Sequence, residues 1–180
     1  MQISNRYSFI HYAVPKTASQ SSWKTFRKYV DIVGVDEKDS LLYHHTTPSE
    51  DLPEFETHFK FCFVRNPWDK IVSHYFFSGK DYESFEKFIE EHVYVRKSNC
   101  DMCTSQHEWY TKVDYIARYE NYENELKKIF SMVGIEDEPV INKINITNHK
   151  YYREYYTDRS STIVYDKYKK DIDDLGYEYD

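Results

Sequence analysis

Two short segments of the chain combine residue types that can grip an anion. The first is Val14-Pro15-Lys16-Thr17-Ala18-Ser19-Gln20-Ser21-Ser22, which reads as a strand end, a tight polar turn and a helix start. N–H groups at a helix N-terminus point at any bound anion, and Lys16 and the hydroxyls add charge and donors. The segment is not a Walker A loop, because the glycines and the Gly-Lys-Ser/Thr ending are missing. An ordinary capped turn uses the same residue types. The second segment runs from Phe63 to Ser73. Arg65 leaves a strand end, and Ser73 follows Asn66 by seven residues, nearly two helical turns, so it shares the Asn66 face. A guanidinium and a hydroxyl placed this way can converge on one anion, which arginine holds in a bidentate grip. The alternative is an Arg65–Asp69 pair beside a solvated serine.

Histidine is the natural proton acceptor near neutral pH. His44 and His45 follow a short strand expected at Leu41 to His44, at the sheet edge where an anion would sit. A structural hydrogen-bonding role for the pair stays open. Glu50 is a weaker alternative base, and the role of His74, beside Ser73, is ambiguous. His11 reads as a core residue and His58 as a surface one. Lys150, Tyr152 and Arg153 could form a mobile polar flap over a ligand, with a solvated helix start as the reading placed ahead of it. Cys100 and Cys103 form one C-x-x-C, with His107 four residues on and His92 eight residues before, a set that can hold zinc. Their surroundings, RKSNCDMCTSQHEW, read as a polar loop with no second C-x-x-C, so two thiols and no metal are expected.

The elements that must position these groups follow from hydrophobic periodicity. Residues 8–14 and 59–64 (FKFCFV) read as buried strands, and 113–118 as a further one. Helices are expected over 19–31, from Thr47-Pro48-Ser49-Glu50, from Asn66-Pro67, over 84–92, from Tyr122 to Gly134, and over 160–175. The helix after Asn66 places Trp68, Ile71, Val72, Tyr75 and Phe76 on one stripe. Strands alternating with helices predict an α/β fold, a three-layer sandwich around a mainly parallel sheet. No repeat or linker breaks the chain, so residues 1–180 are read as a single domain.

Composition narrows the function classes. The 180 residues carry 24 Lys and Arg against 31 Asp and Glu, a net charge of −7, which disfavours nucleic acid as a partner. No apolar run suits a signal peptide, and none approaches the ~18 residues of a membrane span, so a cytoplasmic protein with no membrane partner is expected. Three cysteines make no disulfide framework, which fits a reducing compartment. Oligomeric state is not readable.

Together the two anion-gripping segments resemble the PAPS-dependent sulfotransferases, of the branch containing carbohydrate sulfotransferases and their bacterial relatives. The first is similar to that family's 5′-phosphosulfate loop, P-K-T/S-A/G-G/S-T/S-S/T. The second matches its 3′-phosphate motif, F-V-R-N/D-P-x-D/E-R/K-x-x-S-x-Y, in full from Phe63 to Tyr75. Further echoes fall at His45-Thr46-Thr47, Gln106, Arg118 to Asn121, Asn145-Ile146-Thr147, Tyr152 to Tyr156, and Val164-Tyr165 to Gly176-Tyr177. One departure stands out: Ser19-Gln20 replaces the family's small residue and hydroxyl.

The resemblance implies a P-loop-kinase-like sulfotransferase fold and PAPS as donor substrate, with PAP as product and no metal. It implies that Lys16 contacts the 5′-phosphate and the bridging oxygen. Thr17, Ala18, Ser19, Gln20, Ser21 and Ser22 would complete that cradle, and Arg65 and Ser73 would hold the 3′-phosphate. The family echo on His45 makes it the candidate base. The acceptor would be a hydroxyl or amine of a carbohydrate or small molecule. A nucleotide or small-molecule kinase and a non-catalytic PAP- or glycan-binding module are the competing readings.

Overall fold

Strand formation is decided by the runs that are apolar on both faces. In the computed structural model, which describes residues 1–33, 45–78, 82–95, 101–142, 144 and 149–179, FIHY and FKFCFV become β2 (Phe9–Tyr12) and β4 (Phe59–Val64). They pair in parallel with Tyr12 opposite Cys62, and β4 pairs in parallel with β5 (Tyr115–Arg118). Two short strands join them: β1 (Gln2–Ser4) pairs antiparallel with β2 and with β3 (Ile32–Val33). The sheet order is β3-β1-β2-β4-β5, with β1 alone reversed, so the sheet is mostly parallel. The expected strand at Leu41 to His44 lies outside the described residues, as do His44, Cys100 and Asn145-Ile146-Thr147.

The chain divides into two compact units, Met1–Val64 with Glu108–Asn145, and Arg65–His107 with Ile146–Asp180. The first holds the sheet. Helices α1 (Ser19–Phe26) and α5 (Tyr122–Met132) bury Phe26, Leu126, Ile129 and Phe130 against Phe9, Phe61, Phe63 and Ala117. Each fully buried large apolar side chain contributes about 1.5–3 kcal/mol. Helix α5 stops where Gly134 takes φ 73°, a left-handed turn glycine adopts without steric cost. Helix α1 is shorter than the expected 19–31. Residues 27–29 tighten into a 3-10 turn and Val30 turns extended to lead into β3.

The second unit is helical. Helix α2 (Pro67–Ser78) starts where expected: the Asn66 Oδ1 accepts from the Trp68 N–H at 3.0 Å. The expected helix at 84–92 begins as α3 (Phe85–Phe88), capped by Ser84, then widens into a π-helical stretch, Ile89–Val95. A short α4 (His107–Tyr110) follows. Helix α6 (Asp158–Leu175) opens on a reciprocal cap between Thr157 and Ser160 and ends at Gly176. Trp68, Ile71, Val72, Phe88, Val164 and Tyr168 form this unit's core.

The helix expected from Thr47 is absent. Residues 50–57 form successive turns, such as Phe55 N–H to Leu52 O at 2.9 Å. Pro53 sits where a helix would need a backbone donor, and its ring would collide with the preceding turn. Among the described residues no helix is long and apolar enough to cross a membrane.

Candidate functional site

The turn between β2 and α1 is held in an uncommon backbone conformation. Lys16 and Ala18, neither a glycine, both have φ 64°. Such left-handed residues cost of order 1–2 kcal/mol each, so the loop shape is imposed by its surroundings. Pro15 fixes the entry, and the Thr17 hydroxyl donates to Val14 O at 3.0 Å, closing the turn on itself. Ala18 occupies the N-cap position of α1 with no side-chain cap, and the first turn contains no acidic residue. The result is a helix N-terminus whose partial positive charge is not answered by a capping side chain, with Lys16 half-buried beside it.

The hydroxyls of this helix start are not all turned outward. The Ser22 Oγ lies 3.2 Å from Ala18 O and 3.1 Å from Ser19 O, back along the helix. Ser21 Oγ accepts from the Ile144 N–H at 3.1 Å, tying α1 to the segment after α5. Ser19 and Gln20 are half-buried.

His45 is anchored close to the same turn. Its Nδ1 lies 2.7 Å from Ala13 O. A carbonyl only accepts, so Nδ1 carries the proton and, in the neutral ring, Nε2 carries the lone pair. Trp109, buried, donates from Nε1 to Thr46 O at 3.1 Å and pins the next residue. The other acid–base candidates are placed elsewhere. Glu50 pairs with Lys112 at 3.4 Å on the surface. His58 bonds Thr57 and Asn5. His11 is a core residue: its Nδ1 meets Gln2 Oε1 at 3.0 Å, its ring stacks on Phe61, and burial lowers its pKa to about 3.

Arg65, 5% exposed, opens the second unit. Its Nε donates to Asp69 Oδ2 at 2.7 Å, the pair that the spacing allowed. Ser73 is buried at 4% exposure instead of solvated. Lys70, fully buried, donates to Thr104 O at 2.7 Å and lies over the Tyr168 ring.

A network not evident from sequence fixes Arg65. The Gln106 amide accepts from the Arg65 N–H at 2.8 Å and donates to Arg65 O at 2.8 Å, as a neighbouring strand would. Gln106 and His107 N–H groups and the Ser105 hydroxyl all donate to the buried Asp171 carboxylate of α6, at 2.7, 2.9 and 2.6 Å. Gln106 was visible only as a family echo, and Asp171 gave no signal. Tyr152, of the flap segment, is buried in the core. His107 turns its Nδ1 to the Ser105 hydroxyl at 2.9 Å. Burial pushes the Cys62 thiol up, which makes it inert.

Comparison with known proteins fits these observations. The sequence model described as the sulfotransferase family matches residues 1–178. An uncharacterized protein of Archaeoglobus fulgidus is 32% identical over 104 residues, 55% of this chain and 86% of its own length. No solved structure matches the chain significantly.

Proposed function

The chain belongs to the sulfotransferase family, and from that premise we propose that it moves a sulfuryl group from PAPS to a hydroxyl or amine of a carbohydrate or small-molecule acceptor. The observation that carries this reading is the strained turn at Lys16 and Ala18, opening an uncapped helix N-terminus free of acidic residues. That is a cradle for an oxyanion bearing a leaving group.

In this reading the N–H groups of Thr17 to Ser21 hold the 5′-phosphosulfate, and the Ser21 and Ser22 hydroxyls join them by rotating away from the backbone groups they bond in the structure. Arg65, oriented by Asp69 and Gln106, holds the 3′-phosphate with Ser73. The acceptor atom forms its bond to sulfur as the sulfur–oxygen bond to the 5′-phosphate breaks, and the bridging oxygen keeps the electron pair. Lys16 stabilises that new negative charge, and the His45 Nε2 takes the acceptor's proton. The fold in this reading is the three-layer, P-loop-kinase-like one, with residues 1–180 acting as one domain.

Radiolabelled sulfate transfer from PAPS onto a panel of glycans and alcohols tests the activity. Calorimetry with Arg65→Ala tests the donor. PAP should weaken by ~10-fold or more, since an arginine–phosphate contact is charge-assisted, while adenosine 5′-phosphosulfate should change little. Equal loss for both ligands would remove Arg65 from the 3′-phosphate. PAP binding without transfer to any acceptor would favour a non-catalytic module.

A further inference from the structure

Three side chains separated by up to 29 positions meet in the interior of the second unit. His74 comes from α2, His92 from the π-helical stretch and Cys103 from a 3-10 turn, Asp101–Cys103. All are buried, at 0%, 7% and 3% exposure. One ring nitrogen from each histidine and the cysteine sulfur lie within 4.8 Å of one another. Cys103 Sγ is 3.6 Å from His74 Nδ1. With metal–nitrogen bonds of about 2.0–2.1 Å and metal–sulfur of about 2.3 Å, a tetrahedral zinc centre spaces its nitrogen and sulfur ligands about 3.6 Å apart. That edge already has coordination length.

The surroundings support the same chemistry. The His74 and His92 rings sit 4.9 Å apart at 71°, edge to face, an arrangement that lets two nitrogens converge. The Tyr82 hydroxyl lies 3.0 Å from His92 Nδ1, the outer hydrogen bond that usually orients a metal-binding imidazole, and it leaves Nε2 as the ligand atom. Phe88 stacks on His92 at 4.9 Å and meets His74 edge-on at 5.3 Å, which makes the wall apolar. The π-helical widening at Ile89–Val95 carries His92, and such distortions of helical geometry concentrate at functional positions. Of the residues whose spacing suggested zinc, Cys100 lies outside the described residues; the structure keeps Cys103 and His92, sends His107 to Ser105 and recruits His74.

We propose that His74, His92 and Cys103 form a zinc site that ties α2 to the two segments after it and supplies three of the metal's four ligands. Thiolate plus imidazole is the donor set that suits zinc among divalent ions. On binding, the Cys103 thiol gives its proton to solvent and the imidazoles bind through neutral nitrogens, so one proton leaves per ion. The site is independent of the donor-binding reading.

The test uses the full chain, stripped with a chelator and then given zinc or cobalt(II). The expected result is one metal equivalent per chain, a rise in Tm with zinc, and a thiolate-to-cobalt charge-transfer band with tetrahedral d–d intensity. Cys103→Ser should abolish the charge-transfer band, whereas Cys62→Ser should retain it. His74→Gln and His92→Gln should each weaken zinc by ~10-fold or more, and Tyr82→Phe by ~10-fold. A second readout needs no variant: zinc should slow alkylation of Cys103, located by peptide fragmentation, in the wild-type chain. Substoichiometric metal, a cobalt spectrum unchanged by Cys103→Ser, or alkylation of Cys103 indifferent to zinc would overturn the site and leave a hydrogen-bonded Cys–His–His cluster.

Discussion

If His45 is the base of the proposed reaction, one hydrogen bond decides which of its nitrogens serves. Its Nδ1 is committed to Ala13 O at 2.7 Å, so the ring is fixed in orientation and tautomer. Nε2 is then the nitrogen that takes a proton. A glutamine at this position can donate to the same carbonyl but cannot serve as a base. His45→Gln should therefore keep the turn, and PAP affinity, close to wild type while turnover falls by ~10²-fold or more, the usual worth of a general base. Steady-state rates at saturating donor, alongside calorimetry with PAP, separate the two effects. Turnover within a few-fold of wild type in His45→Gln would reduce His45 to a strut and move attention to another base.

At the scale of elements, the backbone of Arg65 is held by a side chain. Gln106 supplies an acceptor to the Arg65 N–H and a donor to its carbonyl, as a paired strand would, and Asp171 fixes Gln106 from α6. Gln106→Leu leaves both Arg65 backbone groups buried without that partner. Stability should fall by on the order of a few kcal/mol, and Arg65 should lose its aim. If Arg65 serves the 3′-phosphate, Gln106→Leu weakens PAP more than adenosine 5′-phosphosulfate, although Gln106 touches neither. A uniform loss for both ligands would make Gln106 a stability residue alone. Nothing local announces this network, because its partners lie 41 and 65 positions apart. The same physics explains what else the sequence withheld. FKFCFV and the Asn66-Pro67 start declare themselves within a few residues, by apolar runs and by capping chemistry. The three-residue β1 and two-residue β3 exist through pairing with distant partners, not through any pattern of their own. The π-helical stretch after α3 shares the composition of an α-helix, and the false helix start at Thr47 had a sound cap but Pro53 behind it. Likewise Lys16 and Ser22 were readable as anion chemistry, whereas the left-handed backbone at Lys16 and Ala18 was not.

For the whole molecule, one residue that couples fold to solution conditions is His11, in the middle of the sheet; the N-terminal ammonium, whose pKa burial lowers to about 5, is another such group. His11 faces Gln2 through Nδ1, Phe61 at 5.1 Å and Phe26 at 5.3 Å, and after burial the N-terminal ammonium adds a smaller repulsion against a charged ring. Burial lowers its pKa to about 3, against an ordinary imidazole value of 6.5. The sign follows from linkage: between those two values the unfolded chain binds a proton that the folded chain refuses. The stabilisation is therefore complete above about pH 6.5 and is lost progressively as the pH falls toward 3. Each pH unit inside this window costs about 1.4 kcal/mol, so at pH ~4.5 the loss reaches on the order of 2–3 kcal/mol. The carboxylates contribute mostly below that pH, since their ordinary values lie near 4. Urea unfolding at pH 7 and 4.5 measures the effect as a difference of two free energies. His11→Phe keeps a ring against Phe61 but cannot titrate. It will alter stability at both pH values, through the Gln2 amide it leaves behind, yet the difference between them should shrink by that same 2–3 kcal/mol. An unchanged difference would mean that the acid sensitivity of the fold originates at another group and that the His11 ring is hydrated more than its 1% exposure allows.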